Sequence, residues 1–105
     1  MLQIPEIRYR TRKYTTQLPA VIECAGKGEI VYKVRAIRDI SWNTEGYHEV
    51  GFAHFDITWF GQAFSLILDG PETRVEGNAP KLDHSEYEGI GGHLLASFLV
   101  EMDIA

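Results

Sequence analysis

Lysine and arginine are absent from residues 39–73, and only Arg74 and Lys81 follow, so eight of the ten basic residues fall within the first 38 positions. Cysteine is almost absent as well. Cys24 alone cannot close an internal disulfide, which removes the stapled framework of small secreted domains and makes a cytoplasmic setting the expectation. Long apolar runs are missing. The candidate Ala63 to Leu68 is strand-length and interrupted by Ser65, far short of the roughly 18 residues of a membrane span. The opening Met1-Leu2-Gln3-Ile4-Pro5-Glu6 turns basic only at Arg8, the reverse of a secretory leader, so the chain is expected to begin at its own start. Internal repeats and low-complexity tracts are also lacking.

What is present is ordinary globular material. An apolar fraction of 45% beside 24% charged residues excludes disorder and coiled-coil composition, and 105 residues suit one domain, residues 1–105, with its own core. Charge is polarised along the chain: +4 over residues 1–40, −3 over 41–64 and −6 over 65–105.

The segment Ile7 to Tyr14 alternates Arg8, Arg10 and Arg12 with Tyr9, Thr11 and Lys13, a period of two that predicts a strand with one cationic face. Val21 to Cys24 and Glu29 to Ile40 predict a hairpin about Ala25-Gly26-Lys27-Gly28. In its second arm Ile30, Tyr32, Val34 and Ala36 fall on one face, and Val31, Lys33, Arg35 and Ile37 on the other. Ser41 to Gly46 reads as a loop. Tyr47 to Trp59 and Ala63 to Leu68 predict a second hairpin around Phe60-Gly61-Gln62, with Gly61 as the first central residue of a type II′ turn. The second arm is apolar on nearly both faces, as an interior strand requires, and Thr73 to Glu76 reads as a short edge strand.

Asp83 with Glu86 fits an acidic capping box, followed by Tyr87, Ile90, Leu94, Leu95, Phe98, Leu99 and Met102 at helical spacing. Gly89, Gly91 and Gly92 in the first turns each disfavour a helix by roughly 1 kcal/mol relative to Ala, which predicts a backbone packed very close to the sheet. The expected fold is therefore α+β: an antiparallel sheet of four to five strands, built from two hairpins, with the C-terminal helix on one face.

Candidate sites divide into three classes. The first is a protein-binding surface. The acidic residues Glu72, Glu76 and Glu86 suit a partner protein with a basic groove, and Trp42 and Tyr47, flanking the expected loop, suit aromatic anchors. The second is nucleic acid: Arg8, Arg10, Arg12 and Lys13, interleaved with Tyr9 and Tyr14, combine phosphate contacts with stacking rings, against which a net charge of −5 weighs. The third is a metal-dependent enzyme using His48, His54 and Asp56, with Asp83, His84 or His93 completing the ligands, although the spacing matches no strong metal motif.

Other constellations carry less. His93, Ser97 and Glu101 form an i, i+4, i+8 row without oxyanion donors. Gly89-Ile90-Gly91-Gly92 lacks a preceding strand and is flanked by Glu86 and Glu88, which oppose an anion. Cys24 has no His or Arg placed by sequence to lower its pKa and counts as a small strand residue. The leading expectation is a small non-enzymatic module that occupies the surface of a larger protein as an accessory or inhibitor. Immunity proteins and phage anti-defence proteins share this general build. No cofactor or metal is expected for it, and a homodimer through an exposed sheet edge is a further option.

Overall fold

The computed structural model describes residues 7–10, 12–16, 18–23, 26, 28–43 and 48–101, with Arg10 described through its backbone. Tyr47 and the rest of segment 44–47, together with Thr11, Cys24, Ala25, Lys27 and Met102, lie outside these residues. In chain order the elements are β1 (Ile7–Arg10), β2 (Ala20–Glu23), β3 (Glu29–Asn43), β4 (His48–Trp59), β5 (Gln62–Asp69), β6 (Glu72–Gly77) and α1 (His84–Glu101). Every strand pairing is antiparallel, and β3 to β6 form a meander in which each strand pairs with the next.

The N-terminal segment lines the free edge of β3 in three pieces. β1 pairs with residues 40–43 and β2 with residues 29–32. Between them Tyr14 N–H donates to the Ile37 carbonyl at 2.8 Å and Thr16 N–H to the Val34 carbonyl at 3.0 Å. The Thr16 hydroxyl also accepts from Val34 N–H at 2.9 Å. The strand expected over Ile7 to Tyr14 thus ends at Arg10 and resumes as a single bridge at Tyr14.

Two irregularities in β3 reset which residues face the core. Pairing shifts between Val34 and Ala36, a β-bulge around Arg35. After it Ile37 is fully buried in the core, whereas Ala36 pairs with His54 and lies outside the core cluster. This reverses the sequence-based assignment of Ile37 to the outer face and Ala36 to the inner one. Farther on, Ile37 and Ile40 are both fully buried although three apart, which a strict period of two forbids. The intervening Asp39 takes φ 59°, and a Cβ on Gly51 would stand 2.9 Å from the Asp39 Cβ, so the two strands approach too closely there for a side chain at position 51. Ser41, Trp42 and Asn43 then continue β3 instead of opening a loop.

The β4–β5 hairpin closes through Phe60 and Gly61, with Trp59 paired to Gln62. Their φ values of 51° and 73° are both left-handed, which defines a type I′ turn rather than the expected type II′. Its twist matches that of the flanking strands.

Asp83 caps α1, its carbonyl accepting from Glu86 N–H at 3.0 Å and Tyr87 N–H at 3.2 Å. The helix buries Tyr87, Ile90, Gly91, Leu94, Phe98 and Leu99 against the sheet. The side chains of Tyr87, Ile90, Leu94, Phe98 and Leu99 share one core cluster with Phe55, Trp59, Leu66 and Ile30, where full burial of an aliphatic or phenylalanine side chain contributes roughly 1.5–3 kcal/mol. Gly91 supplies the close approach anticipated from the glycine cluster, since a Cβ there would lie 2.8 Å from Leu68 Cδ2. Gly89 and Gly92 face open space. The architecture is the expected α+β one, a single antiparallel sheet with one C-terminal helix on one face.

Candidate functional site

With α1 on one side of the sheet, the alternate residues of β3 to β6 project from the other. The pairing registers arrange them in rows. Lys33, Asp56, Ser65 and Glu76 form one; Ala36, His54, Ile67 and Arg74 a second; Arg38, Phe52, Asp69 and Glu72 a third. Arg35, displaced by the bulge, joins them through Asp56. No described element covers this face.

Asp56 is its organising group. Its Oδ2 accepts from Arg35 Nε at 3.1 Å and its Oδ1 from Ser65 Oγ at 3.2 Å, tying three strands together by side chains. Arg38 lies over the Phe52 ring at 4.0 Å from the centroid, and Arg74 reaches Asp69 at 3.4 Å and Glu72 at 3.6 Å. The exposed pairs are worth about 0–1 kcal/mol each, so they order the surface more than they stabilise the fold. A shallow depression of about 490 Å3 runs beside Asp56, bordered by Pro19, Val31, Lys33, Ser65 and Glu76.

His54 is half-buried in the middle row, and its Nε2 is shielded from solvent without a hydrogen-bond partner among the described residues. Burial lowers its pKa first and the Arg35 guanidinium adds to that, outweighing the opposing pull of Asp56. The net effect favours the neutral ring. Its edge-on neighbour is Phe52, with ring centroids 6.4 Å apart.

Histidine, serine and aspartate thus share one face, yet they are not wired for nucleophilic catalysis. That chemistry needs the hydroxyl to donate to the imidazole, whereas Ser65 donates to Asp56 and the His54 Nε2 accepts from none of the described residues. The arrangement suits recognition. In these rows cations gather on β3 (Lys33, Arg35, Arg38), and the carboxylates of β5 and β6 (Asp69, Glu72, Glu76) surround Arg74, with half-buried Phe52 and His54 and buried Ile67 between the two groups.

The residues singled out from sequence are dispersed. Glu72 and Glu76 share the open face, but Glu86 lies in the first turn of α1, in the other layer, so the acidic residues do not make one surface. Within these three rows and Arg35, four cations, Lys33, Arg35, Arg38 and Arg74, stand beside four carboxylates, Asp56, Asp69, Glu72 and Glu76. Charge separated along the chain is brought side by side by strand pairing.

Trp42 sits within β3, half-buried and stacked on His48 at 6.4 Å between centroids, not on a loop; Tyr47 is outside the described residues. Arg8 pairs with Trp42, so Arg8, Trp42 and His48 form a row at the far end of the sheet. Arg10 lies opposite Ile40, Arg12 stands 5.7 Å from the Tyr14 ring centroid, and Lys13 is exposed, so the basic segment is not one continuous cationic strand face. His54 and Asp56 share the open face as their spacing required. His48 is six residues away along β4, roughly 20 Å at an extended rise. Among the described residues no three His, Cys, Asp or Glu side chains are placed to share a metal ion.

Sequence reasoning put Lys33 and Arg35 on the outer face but missed Ser65 and Arg38 as members of it. The available signal was period-two alternation carried across all four strands at once, with Asp56 and Ser65 both polar in otherwise apolar stretches. No described helix is long and apolar enough to cross a membrane. Comparison of the chain with known protein families, characterised proteins and solved structures finds no match.

Proposed function

We propose that the protein is a non-enzymatic binding module, an accessory or inhibitor that acts by occupying the surface of a larger protein, and that it docks through the open face of the sheet. The observation that carries this reading is the composition of that face: Phe52, His54 and Ile67 at the centre, with Lys33, Arg35 and Arg38 on the β3 side and, around Arg74, the carboxylates Asp69, Glu72 and Glu76 on the β5–β6 side. An apolar middle with a polar, orienting periphery is the usual anatomy of a protein interface. Charges so arranged fix the approach of a partner and speed its association. The complementary surface carries acidic groups opposite Lys33 and Arg38 and basic groups opposite Asp69 and Glu72. This partner is a protein of mixed charge rather than a uniformly basic groove.

The test is affinity capture from the source cells after nuclease treatment, run in parallel with variants. A partner at near-stoichiometric yield that is lost with Lys33→Glu/Arg38→Glu and kept with the helix variant Glu88→Lys/Glu101→Lys supports the reading. The opposite pattern, loss only with the helix variant, overturns it.

Nucleic-acid contact is the second reading, favoured by one observation: Arg8 shares a row with the Trp42–His48 stack, a cation beside aromatic rings. It predicts oligonucleotide binding that weakens steeply with salt and is reduced by Arg8→Ala. Absence of binding at low salt removes it.

A further inference from the structure

The two edges of the sheet are unlike. On the β3 side the edge is broken into β1, the Tyr14–Thr16 contacts and β2, with Pro19 interposed. On the other side β6 is a continuous six-residue strand, and among the described residues no strand pairs beyond it. An uninterrupted edge exposes backbone donors and acceptors to another strand, and natural edges are commonly blunted by bulges, proline or charge. β6 has charges, but they alternate in sign: Glu72, Arg74 and Glu76 project on the open face, while Thr73 and Val75 face the helix side opposite Leu68 and Leu66.

That pattern is self-complementary in one register. Antiparallel pairing of two β6 strands about Arg74 sets Arg74 against its own copy and Glu72 against Glu76, which is repulsive at every charged position. Pairing about Thr73 places Pro71, which has no N–H, opposite Val75. Pairing about Val75 sets each Arg74 opposite the Glu76 of the second copy, Val75 against Val75, and Thr73 against Gly77. Both charged pairs are then attractive, and the apolar pair falls on the core side.

The charges on a single chain leave room for this exchange. Glu76 makes no ion pair or hydrogen bond among the described residues. Arg74 holds Asp69 and Glu72 only at 3.4 and 3.6 Å, with its side chain and both of theirs substantially exposed. We propose that a second copy of this chain adds across β6 in the Val75-centred register, forming a dimer with one continuous sheet. Its twofold axis stands perpendicular to the sheet, so both helices lie on one side and the two open faces join into one surface on the other. This inference stands independently of the docking proposed above, since it needs no other protein.

The test is sedimentation equilibrium of the purified protein over about 5–500 µM. Wild type is expected to move from 11.9 kDa towards twice that mass as concentration rises. Glu76→Arg breaks no ion pair or hydrogen bond among the described residues but sets two arginines against each other wherever the second copy's Arg74 would have met Glu76, and should leave a monomer across the range. Arg74→Glu should do the same by setting two glutamates against each other. The double exchange Arg74→Glu/Glu76→Arg restores opposite charges at both positions and should recover the dimer. A wild type that stays monomeric throughout overturns the proposal, as does a dimer unaffected by the single changes or one that the double exchange fails to recover.

Discussion

Replacing Gly91 by alanine and comparing it with Gly92→Ala tests how the helix is seated on the sheet. In a helix interior the Gly-to-Ala change is favourable by roughly 0.5–1 kcal/mol, because alanine loses less backbone freedom on folding. At Gly92 a new Cβ meets nothing within 4 Å, so the full gain is expected, equivalent to about 4 °C in Tm for a chain of this size. At Gly91 the same atom would lie 2.8 Å from Leu68 Cδ2, 3.1 Å from Cδ1 and 3.3 Å from Cγ. Carbon contacts settle near 3.5–4.0 Å, so either Leu68 or the helix must move by about 1 Å. Overpacking of this kind costs about 1–3 kcal/mol. Leu68 is half-buried and can yield part of the distance, which sets the expected cost at the low end of that range. The net result is a loss of up to about 1 kcal/mol for Gly91→Ala and a gap of about 1–2 kcal/mol from Gly92→Ala. Urea unfolding followed by far-ultraviolet circular dichroism measures the gap directly, provided the slope with denaturant is unchanged. Adding Leu68→Ala should abolish the penalty, which appears as a coupling energy between the two positions. Equal stabilisation by Gly91→Ala and Gly92→Ala would refute the close contact between α1 and β5.

Two further outcomes follow from the same geometry. His54 has a folded-state pKa below its ordinary value, so as pH falls from about 6.5 towards that folded pKa the unfolded chain binds a proton that the folded one refuses, and stability declines across that window. His54→Phe should flatten the difference in unfolding midpoint between pH 7.5 and 5.5, and an undiminished pH dependence would show that another group is responsible. Gly61 has φ 73° and open space around its Cβ position, so Gly61→Ala should cost about 1–2 kcal/mol from backbone strain alone, and thermal unfolding at wild-type temperature would contradict the type I′ turn.

The hairpins and the helix were legible because each is written in local period: alternation in Phe55, Ile57 and Trp59 against His54, Asp56 and Thr58, and the three-to-four spacing from Tyr87 to Leu99. The parity changes in β3 were not, because a bulge at Arg35 requires no special residue, and the sequence of β3 reads smoothly through it. The spacing of Ile37 and Ile40, with an aspartate able to adopt a left-handed backbone between them, was the one visible trace of the second irregularity. The reduction of the expected strand to a single bridge at Tyr14, and the contact of Thr16, were hidden for a different reason: these residues join the sheet through a few long-range hydrogen bonds, which no local pattern encodes. The open face was obscured by chain order. Lys33 and Arg38 come early and Asp69 to Glu76 late, so they read as a polarised chain until the meander sets them on one face. Glu86 looked like their neighbour because it follows closely in sequence, but the capped turn at Asp83 carries it into the other layer.

The central claim is that the open sheet face is the docking surface, and carboxyl footprinting of the captured complex tests it most directly. Carbodiimide labelling of Asp56, Asp69 and Glu72 should fall several-fold on binding, while Glu88 and Glu101 on the helix label as in the free protein. Protection of Glu88 and Glu101, with Asp56, Asp69 and Glu72 unchanged, would contradict it.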